Sequence, residues 1–310
     1  EEVEREGLDW FKVFRDRYVI ESRWKSGDQV SRSLKGHKDS VYCLQFDEEK
    51  IVTGSRDRSV KVWDIKTGLC QHTLNGHQGS VLCLKFSGSD FLLTGSSDCK
   101  VIQWDMKTGE KKKELIGHRS GVLDLSINSN YIVSCSKDTT IKLWNRFDLS
   151  LLRTIEGHTG PVNAIEVSKD GQLLVSASGD STMKLWNPLT GELLRTCEGH
   201  LRGLACIKLI EELGLVISGS NDETVKVWDL RNGQCLRTLL GHEGLVRTLD
   251  VDVNERRLVT GSYDKTIKVW DFETGLMKLD FRKGQKSIVF DVSIDLHQII
   301  SVGHDSNITI

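Results

Sequence analysis

Apolar and polar positions alternate along most of this chain in short runs, the periodicity of pleated strands. "SVYCLQF" (Ser40–Phe46) and "KIVTGS" (Lys50–Ser55) alternate or run apolar, and "SVKVWDI" (Ser59–Ile65) alternates with a period of two. Arg56-Asp57, between the second and third runs, reads as a tight turn with a side-chain acceptor. "TGLCQHTL" then turns at Gly68 and supplies a fourth strand. The same plan returns as "TGSSDCKVIQWD", "VSCSKDTTIKLWN", "VSASGDSTMKLWN", "ISGSNDETVKVWD" and "VTGSYDKTIKVWD". Ahead of these units the pattern changes. Val3, Trp10, Phe14 and Tyr18 fall near helical spacing beside Phe11. Glu1, Glu2, Glu4 and Glu6 lead and Lys12, Arg15 and Arg17 trail, as a helix dipole favours. Residues 1–28 therefore read as a helical segment and residues 29–310 as strands.

The strand units repeat. Gly-His pairs end at His37, His77, His118, His158, His200 and His242, and tryptophans follow at Trp63, Trp104, Trp144, Trp186, Trp228 and Trp270. Both series advance by 40 to 42 residues. That period, with its Gly-His and Trp-Asp marks, resembles the WD40 repeat, in which each unit is one four-stranded propeller blade. A seventh unit is worn: Lys283-Gly284-Gln285 replaces the Gly-His pair, and "SVGHDSNITI" keeps only Asp305. It lacks a fourth strand, while "QVSRSLKG" (Gln29–Gly36) is a spare one ahead of the first unit. Residues 29–36 are expected to complete the last blade and close the ring without an open sheet edge. The fold class expected is an all-β, seven-bladed propeller preceded by a helical linker.

Composition narrows the function. The chain has 310 residues, 38% of them hydrophobic, and no apolar run approaches the ~18 residues of a membrane helix. A net charge of -2 gives no general pull toward nucleic acid or membrane, so neither is expected as a partner and any basic site is local. The start at Glu1 without methionine or signal peptide reads as a piece of a longer protein. Eight cysteines show no CxxC pair, and Cys43, Cys83 and Cys206 share one slot of the repeat. They read as reduced core thiols, which fits cytoplasm or nucleus. No metal-ligand spacing, phosphate loop or nucleophile motif stands out, so no cofactor and no metal is expected.

The WD40 resemblance implies a buried hydrogen-bonded set in each blade: His37, Asp57 and Trp63; His77, Asp98 and Trp104; His118, Asp138 and Trp144; His158, Asp180 and Trp186; His200, Asp222 and Trp228; His242, Asp264 and Trp270. A Ser or Thr such as Thr53 completes each set. Aspartate beside histidine invites a catalytic reading, but six copies at a fixed offset are what architecture requires. No catalytic residue is expected, and the chain does not read as an enzyme. His72, His297 and His304 read as surface or edge residues.

"LDWFKVFRDRYVIESRW" (Leu8–Trp24) resembles the segment joining an F-box to its propeller in F-box/WD-repeat proteins, and "VYCLQFDEEKIVTGSRDRSVKVWD" and "GSVLCLKF" are also similar to that family. "SASGDSTMKLWN" and "GHLRGLACIKL" look most like its beta-transducin-repeat-containing branch. The family's propellers present Gly-His loops and Asp turns on one face. The slot before the turn Asp holds Arg56, Ser97, Lys137, Gly179, Asn221, Tyr263 and His304. The first-strand slot holds Tyr42, Leu82, Leu123, Asn163, Ala205, Arg247 and Phe290. The loop slot three past the Gly-His glycine holds Asp39, Gly79, Ser120, Gly160, Arg202 and Gly244.

The resemblance implies phosphopeptide binding by Arg202, Arg247 and Arg56, with Lys137 beside them. Tyr42, Leu82, Leu123, Asn163, Tyr263 and Phe290 are the expected top-face contacts for an apolar anchor. A planar guanidinium meets a phosphate bidentately, which is why arginines gather at phospho-motif sites. The fourth unit departs from that branch, with Thr159-Gly160-Pro161 where an arginine is expected. Two readings follow. One is the substrate-recognition subunit of a cullin-type ubiquitin ligase, with phosphorylated protein substrates and, through an upstream F-box, a Skp-type adaptor and cullin as partners. The other is a protein-interaction scaffold with no ubiquitin role.

Overall fold

A computed structural model describes residues 10–27, 30–87, 91–282 and 287–310. Two compact units divide at Arg32 and Ser33. The first holds one α-helix, Trp10–Ser26, with Arg23 and Lys25 in its last turn, where the carbonyl end of the helix dipole favours cations. An exposed Arg17–Glu21 pair at 3.5 Å links successive turns. Trp10 and Tyr18 stand out from the helix, 73% and 66% exposed. Glu1, Glu2, Val3, Glu4 and Glu6, and the side chains of Phe11, Lys12 and Phe14, lie outside the described residues. No described helix is long and apolar enough to cross a membrane.

The second unit is a seven-bladed propeller of four-stranded antiparallel sheets. In the first blade the strands are Val41–Phe46, Lys50–Ser55, Ser59–Asp64 and Cys70–Asn75, in sequence order from centre to rim. The seventh blade joins Val289–Ile294, Ile299–Gly303 and Ile308–Thr309 to Ser33–Leu34. The closing strand is shorter than the expected Gln29–Gly36. Among the described residues, Ser33↔Thr309 and Leu34↔Ile308 pair.

Middle strands bury both faces, so their side chains alternate between the cores on either side of the blade. Between the first two blades, Val52, Val60, Val62 and Leu74 meet Val81, Leu84, Leu92, Ile102 and Trp104. Close approach explains the glycine of "TGS": a Cβ on Gly54 would stand 2.6 Å from Val81 Cγ1 of the next blade.

In six blades a chain of hydrogen bonds ties the loop before the blade to the turn inside it. Trp63 Nε1–H donates to Thr53 Oγ1 at 2.9 Å, the hydroxyl donates to His37 Nε2 at 2.8 Å, and Nδ1–H donates to Asp57 Oδ2 at 2.9 Å. Indole can only donate, so this direction satisfies every group with a neutral imidazole protonated at Nδ1. Asp57 also accepts from the Lys38 and Ser59 amides at 2.9 Å. The other sets are Trp104–Thr94–His77–Asp98, Trp144–Ser134–His118–Asp138, Trp186–Ser176–His158–Asp180, Trp228–Ser218–His200–Asp222 and Trp270–Thr260–His242–Asp264.

The residue after each turn aspartate takes a left-handed conformation without being glycine, from Arg58 at φ 71° to Ser306 at φ 60°. That strain costs about 1 kcal/mol per site and is held by the bonds around it. In the seventh blade the amide of Asp305 donates to Ser287 Oγ at 3.2 Å. The Asp305 carboxylate accepts from Asn307 Nδ2 at 3.0 Å. Lys283, Gly284 and Gln285 lie outside the described residues.

Replacing Asp222 by Ala strands His200 Nδ1–H and the Leu201 and Thr224 amides, which it accepts at 2.9, 2.8 and 3.0 Å. Such losses cost about 3 kcal/mol. Urea unfolding of Asp222→Ala should show that drop; a change below ~1 kcal/mol would mean the set contributes little to stability.

Candidate functional site

The candidate site lies at the mouth of a central cavity of about 330 Å³. The innermost strands of all seven blades line it. Each of those strands carries a β-bulge at the same place, between Val41/Cys43, Val81/Cys83, Val122/Asp124, Val162/Ala164, Leu204/Cys206, Val246/Thr248 and Val289/Asp291. The residue skipped at the bulge is Tyr42, Leu82, Leu123, Asn163, Ala205, Arg247 or Phe290. These are the first-strand slots expected on the face, and all seven border the cavity. A bulge re-aims one side chain per strand, so the preceding residue stays in the core while its neighbour turns to the channel. Periodicity alone cannot show this, because a bulge breaks the period.

The mouth is chemically lopsided. Phe290 packs against Tyr42, tilted, at 5.0 Å and edge-on against Tyr263 at 6.0 Å between ring centroids, and His304 lies 6.4 Å from it. This aromatic wall spans the sixth, seventh and first blades. Tyr263, half-exposed in its turn, does not border the cavity itself but packs edge-on against Phe290. His304, exposed in the slot before Asp305, joins the wall.

The cations sit differently from one another. Arg247 is partly buried and donates from Nη1 to Ala205 O at 3.4 Å, which ties the fifth and sixth blades. Arg202 is exposed on the loop leading into Leu204–Ile210, and Lys137 is exposed in the third-blade turn. Neither has an ion-pair partner among the described residues. Arg56 is engaged: its Nε lies 3.7 Å from Asp39 Oδ2. Arg202, Arg56 and Lys137 stand outside the cavity lining.

In the three blades where the loop slot is glycine, the space above the turn is closed. A Cβ on Gly79, Gly160 or Gly244 would come within 2.4–2.9 Å of the turn of its own blade. In the fifth blade the glycine falls one residue later, at Gly203, whose added Cβ would meet Gly179 Cα at 2.9 Å. Arg202 keeps the backbone place of that slot, its carbonyl accepting from Ser220 Oγ at 3.1 Å as Gly160 O accepts from Ser178 Oγ, and carries its side chain exposed. Leu201 beside it is 88% exposed, and Arg119 is exposed in the corresponding third-blade loop. Neither was expected at the site, since the position after the histidine shows no pattern across the repeats.

Below the mouth, sequence reading missed a polar girdle. An innermost strand has a backbone partner on one side only, so amides on its other side must be satisfied elsewhere. Gln45 Oε1 accepts from Phe86 N at 2.8 Å, Ser126 Oγ from Val167 N at 3.1 Å, and Asp124 from Ile165 N at 2.9 Å. Asp250 accepts from Ile294 N at 3.1 Å, and Asp291 closes the ring by accepting from Leu44 N at 2.8 Å. Lys208 binds Asp250 at 2.9 Å, and that carboxylate raises the Lys208 ammonium pKa. Burial pushes the Asp124 carboxyl up to about 6 and raises Asp291 as well. Burial also drives the Cys43 and Cys83 thiols up, and Cys206 to about 12, so these three are inert packing groups. All eight cysteines are free.

Known proteins give a consistent picture. The WD domain, G-beta repeat family matches residues 28–64, 68–105, 109–145, 149–187, 191–229 and 233–271. The chain belongs to the WD40-repeat family. The matches cover the six units with Gly-His and Trp marks and stop short of the seventh blade of this WD40 propeller. Curated relatives include proteins named probable E3 ubiquitin ligase complex SCF subunit sconB. Those from Penicillium rubens, Aspergillus fumigatus and Arthroderma benhamiae are 48%, 41% and 42% identical over 59 residues. Each match spans 19% of this WD40 chain and 8–9% of the relative.

Stability should fall as pH falls. Burial lowers the pKa of His37, His77, His118, His158 and His200, so their contribution is whole above the unfolded value near 6.5 and is lost below it. Asp124 and Asp291, raised, act in the opposite direction, Asp124 between about pH 4 and 6, which makes the decline over that interval shallow. Burial alone would raise the turn aspartates, yet donated hydrogen bonds outweigh it and hold Asp138, Asp180 and Asp222 at about 2. Their contribution is lost below about pH 4. Thermal unfolding from pH 7.5 to 3 should therefore show a shallow decline and then a steep one; a Tm that rises between pH 7.5 and 6.5, above the range of the two carboxyls, would contradict the neutral-imidazole arrangement.

Proposed function

We propose that this WD40 propeller is the substrate-recognition subunit of an SCF-type E3 ubiquitin ligase, binding phosphorylated protein segments on the face that carries the His–Asp loops and turns. The observation that carries the reading is the pairing of Arg202, exposed and free of a described carboxylate, with Arg247 at the channel mouth of the next blade. Apolar bulge residues lie beside them. A dianionic phosphate would take charge-assisted bonds from these guanidiniums while Leu82, Leu123 and the aromatic wall received a neighbouring apolar side chain. Lys137 offers a further positive point. The name of the sconB relatives supports the ubiquitin-ligase role, as does the resemblance of Leu8–Trp24 to an F-box linker. A Skp-type adaptor and cullin are the partners that role implies, in cytoplasm or nucleus. The His–Asp pairs have no part in chemistry, since each is saturated within its own blade, and the reading is of a receptor without catalysis.

Titration of a phosphopeptide library tests this. Binding should depend on the phosphate and weaken about 10- to 100-fold in Arg202→Glu, the loss of one charge-assisted contact. The exposed site leaves thermal unfolding unchanged. Binding that survives phosphatase treatment would instead favour the scaffold reading.

A further inference from the structure

Of the four cations expected at this site, Arg56 is already answered by an acid of its own blade. Asp39 is the only acidic residue in a loop slot that elsewhere holds Gly79, Ser120, Gly160, Arg202 or Gly244. It stands in the blade whose turn carries Arg56. Its carboxylate is held in place: Oδ1 accepts from the Ser40 amide at 2.7 Å, and Oδ2 faces Arg56 Nε at 3.7 Å. The loop beneath is fixed too, because Ser55 Oγ donates to Ser40 O at 2.9 Å and the Arg56 amide donates to the same carbonyl at 2.9 Å. In the third blade the matching pair is Ser120 and Lys137, a cation with no acid in the loop slot.

We infer that Asp39 is a specificity-determining residue that occupies Arg56 in place of a ligand phosphate and closes the first-blade side of the mouth to a second phosphate. This rests on the phosphopeptide reading above. A phosphate approaching Arg56 meets a fixed negative charge as well as the guanidinium, and like charges side by side select against that ligand. Tyr42 and Phe290, next to this closed position, are left for an uncharged residue. Toward Lys137 the face stays open to a further anion.

The test uses the best singly phosphorylated binder and a series carrying a second phosphate stepped along either side of the first. Asp39→Ser, which copies the third-blade loop, should bind at least one doubly phosphorylated peptide up to about fivefold more tightly than wild type does, the scale of an exposed ion pair. Its affinity for the singly phosphorylated peptide should stay the same. Adding Arg56→Gln to Asp39→Ser should abolish the gain. No gain for any peptide, or a gain that survives Arg56→Gln, overturns the inference while the phosphopeptide reading stands. If wild type shows no phosphate dependence at all, both fall. Inorganic phosphate gives a peptide-free readout of the same point: NMR of arginine Nε should show Arg56 shifting with phosphate in Asp39→Ser and not in wild type. An Arg56 shift in wild type would also overturn the inference.

Discussion

The bonded chain from tryptophan through a hydroxyl and a neutral histidine to the turn aspartate is the interaction on which the rest of this propeller depends. It joins three segments far apart in the blade: the loop entering it, the second and third strands, and the turn between them. Because each donor has one acceptor and the indole N–H can only give, the chain runs in one direction and fixes the tautomer. The aspartate then holds amides on both sides of itself. Entry loop and turn are thereby locked together on one face, and every residue proposed to meet a ligand rides on one of them or on the strand that follows.

Closing seven sheets into a ring imposes a second demand. The innermost strand of every blade is the edge of its sheet, and an edge in a protein interior leaves amides without partners. Gln45, Asp124, Ser126, Asp250 and Asp291 answer that demand by reaching across to the next blade. One blade's side chains therefore complete another's backbone around the cavity. The bulge above this girdle breaks the alternation once per strand and turns one residue toward the mouth. The seven such residues differ in chemistry although their backbone is the same, which is how one architecture carries a site of its own.

The seventh blade shows how the design tolerates loss. Without a Gly-His pair, its turn aspartate bonds to Asn307, and Ser287 of the entry loop accepts the Asp305 amide where Ser55 and Ser96 of the second strand accept the turn amide in the first two blades. It is closed by two residue pairs from the start of the propeller.

Much of this was legible in the residues themselves. The period of the Gly-His and tryptophan marks gives six blades, and the worn seventh unit with the spare strand ahead of the first gives the last. The recurrence of His, Asp and Trp at one offset marks them as architecture, and the odd residue of each slot, Arg202 above all, marks the candidate site. Tertiary structure alone decided the rest. Why the seven first-strand slots that the family resemblance named turn to the channel depends on a bulge, which has no period. Whether Arg56 is open or engaged depends on Asp39, a loop residue 17 positions earlier that only the fold brings within reach. That Gly79, Gly160 and Gly244 leave no room for a Cβ depends on how closely each loop lies over its own turn, a contact with the turn that the residue types do not record.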